Sequence, residues 1–296
     1  MEEKPYRMEV YERFAELVRG RRIHWVMLHG AEHYPQSIGR DLDCLCESPA
    51  DTAEALACFR QAAEEHADTA WVITPHPIWG QRCVAVSSRY ESAELHILPC
   101  LSSGPIFYQV NYSQVDWSAI FPQDKGAFYT KAVLLPLLAN SKKVLKTISA
   151  YGEERLPDCV RAAYETLKGG GRVSAKQRLA IYRHHCSGMF GAVRGVAHSL
   201  RNKLWRYFAH TVPVFYLNEA YGQEELQKLE EMLKEPFLKF VDCTHFSKPA
   251  LRCIQSQQYF LYVRTPSVCA DCIDTKGLKG KQLCDFIMDC FAKESH

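Results

Sequence analysis

Apolar and polar positions along this chain recur with two periods, and the switches between them mark out its elements. From Tyr6 to Val18 the residues Met8, Val10, Tyr11, Phe14, Leu17 and Val18 fall on one stripe, which predicts an amphipathic first helix. The apolar run Ile23–Leu28 predicts a strand that ends at Gly30, and the run beginning Asp41-Leu-Asp43-Cys predicts a second. Ser48-Pro49 supplies an N-cap and a helix-starting proline for a helix of strong formers from Ala50 to about His66. Thr69–Thr74 reads as a strand. Val84–Tyr90 and Ala93–Pro99, joined at Glu91-Ser92, read as a hairpin. This order predicts a small mixed sheet backed by helices.

Between Pro99 and Lys125 the pattern turns irregular, and a loop able to wall a site is expected. From Ala127 it becomes helical, with a kink expected at Pro136. Gly169-Gly-Gly171 reads as a helix stop, and no Gly-Lys-Ser/Thr follows it, so it is not a phosphate loop. Another helical region is expected from Ala175 to about Tyr207. Beyond it, Val212–Leu217, Phe237–Asp242, Arg252–Ile254 and Gln258–Arg264 carry β patterns, while Gln223–Lys234 and Lys281–Lys293 are helical. The fold class expected is α+β or mixed α/β in three segments: 1–125 with the mixed sheet, 126–207 helical, and 208–296 a small α/β unit.

Composition narrows this picture only slightly. Apolar content of 47% and charged content of 24% are those of a globular chain, and a net charge of +2 makes no global case for nucleic acid. The charged N-terminus lacks a signal-peptide core, and no run approaches the ~18 apolar residues of a membrane span. Thirteen cysteines, an odd number scattered through predicted elements, read as buried thiols of a reduced, cytoplasmic protein. Cys243, His245, Cys253, Cys269 and Cys272 offer zinc ligands, but a single C-x-x-C is weak evidence and buried thiols are the default.

The candidate chemistry lies between the first two strands. Strand side chains alternate faces, so Asp41 and Asp43 share one face while Leu42 and Cys44 take the other. Two carboxylates held side by side repel unless a cation lies between them. Mg²⁺, which takes oxygen ligands and keeps phosphates and waters in its shell, suits such a pair below a glycine turn. A D-x-D alone is short enough to recur by chance. The ordered set is longer: a strand ending at Gly30, then Ser37, Gly39, Asp41 and Asp43, then an acid-bearing strand with Glu94.

This set resembles the active-site signature of the polymerase-β-type nucleotidyltransferase superfamily, closely over about twenty residues. The long turn with Tyr34-Pro35 is similar to that of uncharacterised bacterial nucleotidyltransferases associated with surface-polysaccharide biosynthesis. The chain departs from the usual pattern in a longer Gly-to-Ser spacing and in Glu rather than Asp at position 94. The resemblance implies a catalytic set of Asp41, Asp43 and Glu94 holding Mg²⁺, with Mn²⁺ as a substitute. It also implies a phosphate-binding turn of Gly30, Ser37 and Gly39, with Arg40 either steadying phosphates or facing solvent. Lys131, Lys142, Lys143 and Lys146 are the nearest downstream cations for a triphosphate, and each alone reads as a solvated helix lysine. His96 shares a face with Glu94, as an assisting group or as a non-catalytic histidine.

The implied activity is transfer of a nucleoside monophosphate from a nucleoside triphosphate, ATP among them, to a hydroxyl or phosphate of a small-molecule acceptor, sugar or polyol included. Two alternatives stay open: a catalytically silent binding protein that keeps the fold, and an RNA-modifying nucleotidyltransferase. The second would use the basic, aromatic-interleaved stretch 175–207, which is also open to a membrane-surface role. The simpler reading of that stretch is a helical domain with a basic outer face and inward aromatics.

Overall fold

The computed structural model describes residues 5–31, 33–74, 81–98, 100–103, 105–186, 193, 195–197, 200, 213–218, 221–237, 239–247, 259–265 and 272–293. The fold is mixed α/β, with a five-stranded mixed sheet and a separate parallel sheet. α1 (Tyr6–Gly20) buries the predicted stripe of Tyr6, Met8, Val10, Tyr11, Phe14 and Val18. β1 (Trp25–His29) and β2 (Asp41–Cys46) follow, then α2 (Pro49–Glu65), whose first turn is capped by Ser48 Oγ accepting from the Asp51 N–H at 3.1 Å. β3 (Thr69–Ile73), β4 (Gln81–Ser87) and β5 (Ser92–Leu98) complete a sheet of order β1-β2-β5-β4-β3. β1 and β2 run antiparallel, with Met27 opposite Cys44, His29 opposite Asp43, and a bulge between Met27 and His29.

By contacts the chain divides into two compact units, Met1–Arg22 with Ala53–His96 and Leu204–His296, and Ile23–Thr52 with Ile97–Lys203. In the first unit the β3 and β4 residues Ile73, Val84 and Val86 share one apolar cluster with Phe215, Phe260, Ile287 and Phe291. The C-terminal residues of that cluster belong to the parallel sheet and its helices. Trp71 Nε1 donates to Asp289 Oδ1 at 2.8 Å, and Tyr90 Oη donates to Asp285 Oδ1 at 2.8 Å, fixing the helix against the strands.

In the second unit, part of the expected irregular stretch is an antiparallel hairpin of β6 (Leu101–Ser103) and β7 (Ile106–Tyr108). Then come α3 (Lys125–Tyr129), a π turn over Thr130–Leu134, α4 (Leu135–Leu138), α5 (Lys143–Tyr151), α6 (Asp158–Lys168) and α7 (Ala175–His185). The irregularity expected at Pro136 falls one turn earlier: the Leu135 N–H reaches back five residues to the Thr130 carbonyl. A proline has no N–H to donate, and a wider turn ahead of it relieves the missing hydrogen bond. α7 opens with a capping box of Ser174 and Gln177 and stops at His185, well short of Tyr207. Residues 193, 195–197 and 200 are helical, and the rest of 187–207 lies outside the described residues.

Within the first unit the parallel sheet has the order β11-β8-β10-β9, from β8 (Val214–Tyr216), β9 (Lys239–Asp242), β10 (Tyr259–Val263) and β11 (Ile273–Asp274). Leu261 is paired with both Val214 and Val241. Its helices are α8 (Gln223–Leu233) and α9 (Gly280–Lys293). The β pattern expected at Arg252–Ile254 lies outside the described residues. No helix among the described residues is long and apolar enough to cross a membrane.

Candidate functional site

The turn between β1 and β2 is built by two glycines that let the backbone cross itself. Gly30 sits at φ +112°, and a Cβ there would lie 2.1 Å from the Asp41 carbonyl oxygen. A Cβ on Gly39 would lie 3.1 Å from Gly30 Cα, and the Gly39 N–H donates to the Gly30 carbonyl at 2.5 Å. Any side chain at Gly30 would prise apart the strand end that presents Asp41. Ser37 is exposed, and its N–H donates to the His33 carbonyl at 3.0 Å. The N–H groups of Ser37 and Gly39 are therefore both engaged within the turn, while Arg40 is half-buried beside it.

On β2 both faces are covered from Leu42 to Leu45. Leu42 and Cys44 are fully buried, Asp41 is half-buried, and Asp43 is 5% exposed. Burial pushes the Cys44 thiol well above its ordinary pKa, helped by the hydrogen bond to Cys46 and the negative charges of Cys46 and Asp43. It stays protonated, so the usable donors of this strand are the hard carboxylate oxygens, which favour Mg²⁺ over zinc.

Asp43 has a cation against it. Lys131 Nζ lies 2.9 Å from Asp43 Oδ2, with the two side chains 26% and 7% exposed. Lys131 belongs to the π turn, a feature that recurs at functional sites. The path that delivers it is anchored at each step. The Met27 N–H of β1 donates to the Pro122 carbonyl at 2.7 Å. Asp124 then caps α3, its Oδ1 accepting from the Ala127 N–H at 2.6 Å and from Tyr108 Oη at 2.6 Å. Tyr108 fits because residue 126 is glycine: a Cβ there would lie 2.1 Å from its hydroxyl oxygen.

Glu94, on β5, is 4% exposed, and its Oε2 accepts from Arg82 Nη2 at 2.5 Å. Its backbone is held as firmly: the Tyr11 hydroxyl donates to the Glu94 carbonyl at 2.9 Å and accepts from its N–H at 2.8 Å. Glu94 is thus a paired, buried carboxylate rather than a solvent-facing hairpin acid. His96 is half-buried on the same strand.

The structure brings Gly30, Gly39 and Asp41 into one backbone crossing and puts Lys131 on Asp43. Lys142 and Lys143 are exposed at the start of α5. Sequence reasoning missed Asp124, Tyr108, Arg82 and Tyr11. For Asp124 a signal existed, since an Asp just ahead of a helical pattern is an N-cap; the partners of Tyr11 and Arg82 are visible only in three dimensions. Among the described residues no group of three or more His, Cys, Asp and Glu is placed to hold a metal ion. Of the zinc candidates, Cys243 is buried, and Cys253 and Cys269 lie outside the described residues. Buried thiols occur as expected, burial pushing Cys83 up to about 12. No protein-family model and no curated protein matches the chain.

Proposed function

We propose that the β1–β2 turn and its aspartates form the metal and nucleotide end of a nucleotidyltransferase site. The chain would carry a nucleoside monophosphate from a nucleoside triphosphate to a hydroxyl or phosphate of a small-molecule acceptor, a sugar or polyol by the resemblance noted above. In that reaction an acceptor oxygen attacks the α-phosphorus in line, the new P–O bond forms, the α–β bridging bond breaks, and pyrophosphate leaves. The observation that carries the reading is the buried Asp43 carboxylate, which already holds one cation, the Lys131 ammonium at 2.9 Å.

The donor set fits Mg²⁺: two hard carboxylates on one face of a rigid strand, with substrate phosphates and water available for the remaining positions. Bound there, Mg²⁺ supplies charge neutralisation of the phosphates and acidifies the attacking hydroxyl. Asp41 and Asp43 hold it, and the Gly30–Gly39 crossing fixes the strand end from which they project. Lys131, which now pairs with Asp43, would offer its ammonium to the phosphate charge once Mg²⁺ occupied the aspartates. The exposed Ser37 hydroxyl and Arg40 complete the turn's polar surface. Glu94, the third acid that the resemblance implies, carries the Arg82 guanidinium.

One observation favours a second reading. Asp43 and Glu94 each carry a protein cation, so the fold neutralises both acids without a metal, as a catalytically silent relative would. The two separate on pyrophosphate release during incubation with Mg²⁺, each of the four ribonucleoside triphosphates, and a panel of sugars, polyols and sugar phosphates. Release that falls at least roughly a hundredfold in Asp43→Asn supports transfer. Metal-dependent nucleotide binding without release for any pair leaves the silent reading standing.

A further inference from the structure

A net charge of +2 conceals a steep separation of charge along the chain. Between Glu165 and Glu219 there is no Asp or Glu, and the interval holds nine Lys and Arg. The remainder has 27 Lys and Arg (36 less nine) against 34 Asp and Glu, a balance of −7. The same interval breaks the ordinary rule of burial. Among the described residues five large hydrophobics are exposed, and four of them fall here: Leu179 at 49%, Val193 at 64%, Val196 at 45% and Leu200 at 54%.

Their spacing is that of helix faces. On α7 the exposed residues Lys176, Leu179, Ala180 and Arg183 stand at i, i+3, i+4 and i+7, which is one helix face, while Ile181 is fully buried on the other. Val193, Val196 and Leu200 repeat i, i+3 and i+7 among helical residues. An apolar stripe flanked by lysine and arginine on the same helix is the pattern of a helix that lies on a membrane surface.

We propose that the exposed face of α7, together with Val193, Val196 and Leu200, is a docking surface for an anionic lipid bilayer. Three alternatives are weaker on the same observations. Single-stranded nucleic acid is gripped by exposed aromatic rings, whereas among the described residues of this interval the exposed large apolar side chains are aliphatic and Tyr182 is half-buried against the helical core. The same face of a second copy would bring Lys176 and Arg183 against their own counterparts. A purely structural basic face leaves the exposed Leu and Val unexplained. Aliphatic groups gain by entering the acyl boundary, and Lys176 and Arg183 gain from anionic headgroups beside it.

The test is co-sedimentation of the full chain with vesicles of phosphatidylcholine alone or mixed with phosphatidylglycerol. Binding is expected to the mixed vesicles only, weakening as salt rises. Lys176→Glu with Arg183→Glu should weaken it on the order of tenfold or more. Leu179→Ser with Val196→Ser, which keeps every charge, should weaken it as well. All four positions are surface or helix residues whose circular dichroism should stay unchanged. No binding to the mixed vesicles, undiminished binding by either double variant, or capture of single-stranded RNA or of a second copy in place of vesicles would each overturn the proposal.

Discussion

Asp43 is a carboxylate on a central stretch of strand with 5% of its surface exposed, and a charge so placed demands an answering one. Lys131 supplies it, and the pair makes a direct prediction. Lys131→Met keeps the length and apolar stem of the side chain but removes the ammonium from Asp43, at a cost of about 1–3 kcal/mol. Thermal unfolding without divalent cation should show that loss as a lower Tm. Adding Mg²⁺ should then raise the Tm of the variant by more than that of the wild type, because the metal takes the place of the ammonium. Equal Mg²⁺ responses in the two proteins would detach Lys131 from any metal role. The aspartate pair and its shared face were legible in sequence because strand alternation is a local rule. The identity of the lysine that answers Asp43 was not: four lysines stood downstream on helical patterns, and choosing among them needs the fold.

At the scale of elements, the approach of Lys131 depends on how α3 begins. Asp124 both caps the helix and receives the Tyr108 hydroxyl, so Asp124→Ala removes two hydrogen bonds at one point. Loss of the cap should cost about 1 kcal/mol, read from denaturant midpoints at unchanged slope, and should shift nucleotide affinity together with stability. Unchanged affinity would mean that the π turn holds its place without the cap. A second element-level prediction concerns pH. His185 at the end of α7 lies 5.7 Å from the Tyr129 ring and 4.7 Å from the His184 ring, and its Nε2 is buried without a hydrogen-bond partner. Burial, and then the charge of His184, lowers its pKa below the ordinary 6.5. The unfolded chain therefore takes up the proton first, so the stability this group contributes is complete above pH 6.5 and lost as pH falls through the folded-state pKa. Unfolding midpoints should decline below that point, and His185→Gln should flatten the decline. A wild-type profile flat through this range would contradict the assignment. The π turn escaped the sequence reading because a five-residue hydrogen bond has no propensity signal of its own. Pro136 marked the disturbance but not its position.

For the whole molecule, the strands and helices of residues 6–98 were legible, since apolar periods are long there and punctuated by Gly30 and Pro49, although β4 (Gln81–Ser87) lies ahead of the expected Val84–Tyr90 run and Ser92 opens β5 instead of closing the turn. The partnership between those strands and the C-terminal sheet was not. Ile73, Val84 and Val86 share a core with Phe215, Phe260 and Phe291, and nothing in either stretch names the other. The glycine crossing shows the same division: Gly30 and Gly39 announce a special backbone, while the reason for them, the Asp41 carbonyl 2.1 Å from a would-be Cβ, is tertiary. We read this crossing as the presenter of a metal–nucleotide site. Isothermal titration of Mg²⁺ with each ribonucleoside triphosphate, on wild type and on the Asp41→Asn/Asp43→Asn variant, tests it most directly. The expected result is binding of at least one nucleotide that requires Mg²⁺ and disappears in the folded variant. Binding of no nucleotide by wild type, or binding that the variant retains in full, would contradict it.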